Sequence, residues 1–108
     1  MAKSFDLAAL RAAAASGGVQ WHQHALERLL ERGISRQDVL TAVMQGEIVE
    51  VYADDRPYPG CLLLHVGAEP LHVVAAVDET ARICHVITAY RPDRDHFEAD
   101  FKTRRKTR

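Results

Sequence analysis

Hydrophobic positions along the chain change period twice, and the changes mark out its elements. Ser4 to Ala15 is alanine-rich, with Leu7 and Leu10 three apart and Ser4 placed to cap, which predicts a short helix with a thin apolar stripe. Ser16-Gly17-Gly18 breaks this pattern and reads as a hinge. Residues 1–18 therefore form an arm and residues 19–108 a single domain. The arm either packs on the core, exchanges into a neighbouring copy or stays mobile.

From His22 to Arg32, Ala25, Leu26, Leu29 and Leu30 recur at helical spacing, and Gly33 supplies the stop. Ser35-Arg36-Gln37-Asp38 resembles a capping box and opens a second helix, whose buried face is Val39, Leu40, Val43 and Met44 and which Gly46 ends. The period then becomes strand-like. Ile48–Tyr52, Cys61–Val66, Leu71–Val77 and Arg82–Tyr90 are predicted strands, separated by Pro-, Gly- and Asp-rich turns. Such short connections imply antiparallel pairing. Asp93 to Arg105, with Phe97 and Phe101 four apart, predicts a last helix. The expectation is an α+β fold: N-terminal helices packed on a four-stranded antiparallel sheet, with a C-terminal helix.

Composition narrows the class. At 108 residues there is room for one domain, which buries a little under ~70% of its unfolded surface. Hydrophobic residues at 47% and charged residues at 27% suit a folded globular chain. No apolar run approaches the ~18 residues of a membrane span. One lysine followed by Asp6 is not a secretory leader, so a soluble cytoplasmic domain is expected. Cys61 and Cys84 are too few for a disulfide framework or a four-cysteine zinc site, and in the cytosol they remain thiols even if they neighbour across strands. The formal charge of −1 argues against a protein built chiefly to grip duplex nucleic acid. Charge acts locally, however, and five of the seven residues from Lys102 to Arg108 are basic. That tail is either a solvated terminus or a dock for a phosphate backbone, with Lys102, Arg104 and Arg105 as contacts.

Six histidines stand out, since histidine trades protons near neutral pH. On the wheel of the His22–Arg32 helix, His24, Arg28 and Arg32 fall at about 0°, 40° and 80°, opposite the apolar arc centred near 170°. His24 and Arg28 thus share a polar stripe one turn apart, an imidazole to move a proton beside a guanidinium to hold an anion. The same stripe reads equally as a solvated helix face. On the third strand His72 shares a face with Val74 and Ala76, and on the fourth Tyr90 is expected to share a face with Thr88, Val86 and Cys84. Tyr90-Arg91-Pro92 sets a stacking ring next to a phosphate-binding fork, or else a structural Tyr next to an Arg facing acidic neighbours. His65 and His85 sit inside strands and are as readily structural as functional. His22 and His24 on a helix point about 160° apart and cannot chelate unless that turn is extended. With no Cys-x-x-Cys, no His-Glu-x-x-His and no glycine-rich phosphate loop, no metal and no cofactor are expected.

As a set, His24-Ala25 with Arg28, Arg32-Gly33-Ile34, Asp38-Val39, Gly46-Glu47-Ile48, Pro70-Leu71-His72-Val73-Val74 and Tyr90-Arg91-Pro92 resembles the bacterial domain of unknown function 4258, over roughly residues 22–106. The resemblance implies kinship with RelE/ParE-like and MqsR-like toxins of the barnase–colicin–RelE ribonuclease fold, which cleave RNA without metal and pair with a small antitoxin protein. It implies a toxin-like endoribonuclease in which His24 acts as acid or base, Arg28 and Arg91 clamp the phosphate, and Tyr90 or His72 positions the substrate or moves the second proton. Arg32 joins Lys102, Arg104 and Arg105 as a nucleic-acid contact. The rival expectation is a non-catalytic binding or regulatory module of the same fold that contacts a protein or nucleic acid.

Overall fold

A computed structural model of the chain describes residues 5–93 and 96–104. Helix α1 (Leu7–Ala15) is followed by strand β1 (Val19–Trp21), helices α2 (Gln23–Arg32) and α3 (Arg36–Gln45), and strands β2 (Glu47–Tyr52), β3 (Gly60–Val66), β4 (Pro70–Asp78) and β5 (Ile83–Tyr90). The expected Ser4 cap lies outside the described residues. Asp6 caps α1 instead, accepting the Ala9 N–H at 3.1 Å. Ser35 caps α3 as read, accepting the Asp38 N–H at 3.0 Å, and Gly33 closes α2 at φ 65°, a left-handed conformation that favours glycine.

The sheet corrects the expected architecture in two ways. It has five strands in the order β1-β5-β4-β3-β2, and β1 runs parallel to β5, so it is mixed rather than four-stranded and antiparallel. Three residues are too few for alternation to announce a strand, so Val19-Gln20-Trp21 carries no signal of its own. It becomes a strand only because the free edge of β5 meets it. The glycine pair before it is a close approach: Gly18 accepts the Cys84 N–H at 2.6 Å, and a Cβ on Gly18 would collide with the Arg82 carbonyl. The second correction is the C-terminal helix. The described part of Asp93–Arg105 is a chain of turns closed by a bridge between Phe97 and Arg104. Asp100 accepts the backbone N–H groups of Lys102 and Thr103 at 2.9 and 3.0 Å, which offers the backbone an alternative to helical bonding, and Phe101 takes φ 57°.

All three helices lie against one face of the sheet. Leu10 of α1, Ala25 and Leu29 of α2, and Val39, Ala42 and Val43 of α3 meet Leu63, Leu71, Val73, Val77 and Val86 in one buried cluster. The N-terminal helix is thus part of the core. Arg11 fastens it to α3, donating to the Val43 carbonyl at 2.9 Å and to the Gly46 carbonyl, two acceptors that the end of α3 leaves unpaired. Met44, expected on the buried face of α3, is 39% exposed, and Leu30, on the apolar arc of α2, is 86% exposed. Helix α2 rests on β5 near the sheet edge, so only part of its apolar arc finds a partner. Cys61 and Cys84 are buried on β3 and β5 with β4 between them, and burial pushes their thiols up to about 12 and about 11. No helix among the described residues is long and apolar enough to cross a membrane.

Two bulges shape the other face. The pairing of β4 with β5 slips between Val74 and Ala75, leaving Ile87 as an extra residue. Tyr90 and Thr88 are therefore opposite His72 and Val74 on the outer face, whereas Val86 and Cys84 face the helices. The expected shared face of these four residues is broken by that one insertion. A similar slip at Val49 sets Glu47, Glu50 and Tyr52 opposite Leu64, Leu62 and Gly60.

Candidate functional site on the outer sheet face

The outer face is divided between a covered half and an open half. The segment His96–Arg104 crosses the first. Phe97 is 3% exposed and sets its ring edge-on to His72, with centroids 4.7 Å apart. His72 is wholly buried. Its Nε2 lies 2.7 Å from the Phe101 carbonyl, which can only accept, so Nε2 carries the proton and Nδ1 accepts the Tyr90 hydroxyl at 3.2 Å. Burial pushes this imidazole below its usual value, the Phe101 carbonyl pulling the other way. Both ring nitrogens are engaged within the protein, so His72 is a post that supports the C-terminal segment. Tyr90 is half-buried beside it.

Two of the cations that the sequence assigns to nucleic acid, Lys102 and Arg104, are held by acids. Arg104 donates to both carboxylate oxygens of Glu50 at 3.0 and 3.2 Å and lies over the Phe97 ring at 5.0 Å. Lys102 reaches Glu47 at 3.4 Å. Glu50 also accepts the Tyr52 hydroxyl at 2.6 Å, and the bond from Arg104 holds its carboxyl below the usual range. Burial and that same carboxylate push Tyr52 up to about 12. Arg105 lies outside the described residues.

The helix stripe faces solvent. The His24 side chain is 95% exposed, 3.8 Å from Glu27, and Arg28 bonds Glu31 at 3.1 Å. Arg32 turns back and donates to the Ala89 carbonyl at 2.8 Å, capping the stretch of β5 that β1 is too short to cover. Arg91 leaves the end of β5 to pair with Glu69 at 3.5 Å, at the mouth of a ≈ 280 Å³ cleft shared with Asp38 and His65. The structure thus gathers His72, Tyr90 and Arg104 around the C-terminal segment, and it leaves His24, Arg28 and Arg91 apart from them.

A different constellation forms at the open half. There, a pocket of ≈ 180 Å³ is bounded by His22, Tyr52, Arg56, Tyr58, Ala76 and His85, among others. His22 Nε2 and His85 Nδ1 are 3.0 Å apart, so one ring donates and the other accepts. Tyr58 stacks on His85 with centroids 4.9 Å apart and planes 11° off parallel. His85 Nε2 is shielded from solvent and has no hydrogen-bond partner. Burial, followed by the neighbouring His22, pushes the His85 imidazole below its usual value, against the opposing pull of Asp78. A hydrogen bond to Asp78 raises the Tyr58 hydroxyl. Sequence reasoning missed this group because its signal is the β1 register. Gln20 pairs with His85, so the next residue on that side of the chain is His22, which is extended at φ −73°, ψ 148°. Among the described residues no three His, Cys, Asp or Glu side chains gather in a way that could hold a metal ion.

The pair can share and pass a proton, with an arginine and a phenol on the same pocket wall. No curated protein and no solved structure matches the chain. A family described only as a domain of unknown function (DUF4258) matches residues 21–91, which run from the end of β1 to Arg91 and contain both histidines of the pair, Tyr58 and Arg56 but neither α1 nor the C-terminal segment. The chain belongs to that DUF4258 family.

Proposed function

We propose that the protein is a metal-independent endoribonuclease of the toxin type, working in the cytoplasm, with His22 and His85 as its proton-transfer unit. The observation that carries this reading is the 3.0 Å contact between the two imidazoles at the edge of an open pocket, next to Arg56. His22, the exposed member, removes the 2′-OH proton of a ribose, and the freed oxygen attacks the adjacent phosphorus. A 2′,3′-cyclic phosphate forms, the bond to the 5′-oxygen breaks, and the pair returns the proton to that oxygen. His85, neutral near pH 7, holds His22 in the tautomer the first step needs. Arg56 faces the charge that builds on the phosphorane oxygens.

The test is incubation of RNA with purified protein in EDTA, comparing the parent with His22→Ala, His85→Ala and His24→Ala. The parent and His24→Ala should produce cyclic-phosphate ends. His22→Ala should be slower by ~10²-fold or more, the usual contribution of general acid–base catalysis. Loss in His24→Ala alone would move the chemistry to the α2 stripe. Folded His22→Ala and His85→Ala proteins with parental rates would end the proposal.

A second reading is favoured by the ion pairs. Arg28, Lys102 and Arg104 all face carboxylates, so three of the cations a polyanion would meet on the described surface are already paired. A non-catalytic module that docks a protein, such as an antitoxin, on the outer face would need no such charge. No cleavage by the parent, together with recovery of a stoichiometric protein partner, would support it.

A further inference from the structure

We infer that the pocket beside His22 and His85 seats a single unpaired nucleobase, which makes single-stranded RNA the substrate; the inference rests on the ribonuclease reading above. Its size is the first reason. Pockets for drug-sized ligands run to about 300–1,000 Å³. At ≈ 180 Å³ this one lies below that range and has room for a single ring system.

Its lining is the second. Val74, Ala76 and the side-chain-free Gly60 lie along it, with Ile87 and the rings of Tyr52 and Tyr58 around them. A flat, largely apolar guest with a polar edge matches that set, and every base has such a face. The rings are held before any ligand arrives: Tyr52 by Glu50, itself clasped by Arg104, and Tyr58 by Asp78 and its stack on His85. Binding then costs little further ordering.

The third reason is placement. The imidazole pair is part of the same wall, so a base in the pocket brings its own ribose, one bond away, to the proton-transfer unit. A base within a duplex is stacked and paired, and entering would cost a few kcal/mol of disruption that an unpaired base does not incur. Asp55 and Arg56 stand together on the lip with opposite charge. The ring, rather than the phosphate chain, must then supply most of the affinity, and the salt dependence of binding should be shallow.

The experiment has a cleavage arm and a binding arm. In the first, one RNA strand is presented free, annealed to its complement, and with an abasic ribose at the cleaved position. In the second, uridine and adenosine 3′-monophosphates, with ribose 5-phosphate as the baseless control, are titrated while the Ala76, Val74 and Ile87 methyl resonances are followed. Ala76→Leu, which narrows the pocket from its floor, and Tyr58→Leu, which removes a ring from a loop, are carried through both arms with circular dichroism as the check of folding. The inference expects the free strand to be cut at least tenfold faster than the duplex and the abasic strand. It expects nucleotide-induced shifts at those methyls that ribose 5-phosphate does not produce, and a loss of roughly tenfold to a hundredfold in either folded variant, the range of one base–aromatic stack. Cleavage that ignores pairing and the missing base would overturn the base pocket and leave the ribonuclease standing. Nucleotide shifts without any cleavage would support the pocket and end the ribonuclease reading. Neither cleavage nor shifts would overturn both.

Discussion

Replacing His72 with alanine should cost the protein about 3 kcal/mol, a figure that follows from what the ring touches. The imidazole is wholly buried, bonded at both nitrogens and covered by the edge of Phe97. Its two hydrogen bonds are worth about 1 kcal/mol each, and the Phe101 carbonyl left without its donor adds a share of the ~1–3 kcal/mol penalty for an unpaired buried group. The hole under Phe97 adds the rest. This contribution lies well below the ~3–5 kcal/mol of a truncated core aromatic, because Phe97 is on a loop and can settle into the space. Against a total stability of ~5–15 kcal/mol this is a large loss. At ~4 °C per kcal/mol it lowers the thermal midpoint by roughly 12 °C. His72→Phe restores the ring's bulk without its bonds and should recover about a third of the loss. Thermal and urea unfolding followed by far-ultraviolet circular dichroism measure both variants. A loss below about 1 kcal/mol for His72→Ala would mean that the ring is not the post under the C-terminal segment, and its place among the catalytic candidates would reopen.

Acid should expose the same residue. His72 is held below 6.5 in the native state because burial disfavours its charge. The sign follows directly: above pH 6.5 neither state binds the proton, whereas below it the unfolded chain takes one up that the native ring refuses. The stability is present above that pH and falls as pH drops, by up to ~1.4 kcal/mol per unit, and urea midpoints on either side of pH 6.5 should show a shallower fall in His72→Phe. Leu10→Ala, at a wholly buried position of α1, should cost about 3 kcal/mol in urea unfolding, and a cost under 1 kcal/mol would detach that helix from the core. Arg104→Ala breaks a half-exposed ion pair, so stability should change by no more than ~1 kcal/mol. Hydrogen exchange should nevertheless quicken across residues 96–104, where the Arg104–Glu50 clasp joins the segment to the sheet.

The local features were legible in the amino-acid order. The capped helix starting at Ser35, the left-handed stop at Gly33 and the approximate spans of β2 to β5 all depend on neighbours a few residues apart, and each is legible in a window of that size. Membership of the family was legible too, through motifs that are weak singly and specific together. The rest took shape in the folded chain, because it depends on residues distant in the sequence. Three residues around Gln20 become a strand when β5 offers an edge, and the parallel register then carries His22 to His85, 63 positions away. One extra residue at Ile87 turns Tyr90 from the helix side to the outer face, where it meets His72. Asp100, Phe101 and the carboxylates of β2 turn a helical-looking spacing at Phe97 and Phe101 into a strap, and the cations on it are paired with Glu47 and Glu50. Periodicity records which side of an element is apolar. It carries no record of which edge, which bulge or which distant acid that side will meet, and on those meetings the candidate site is built.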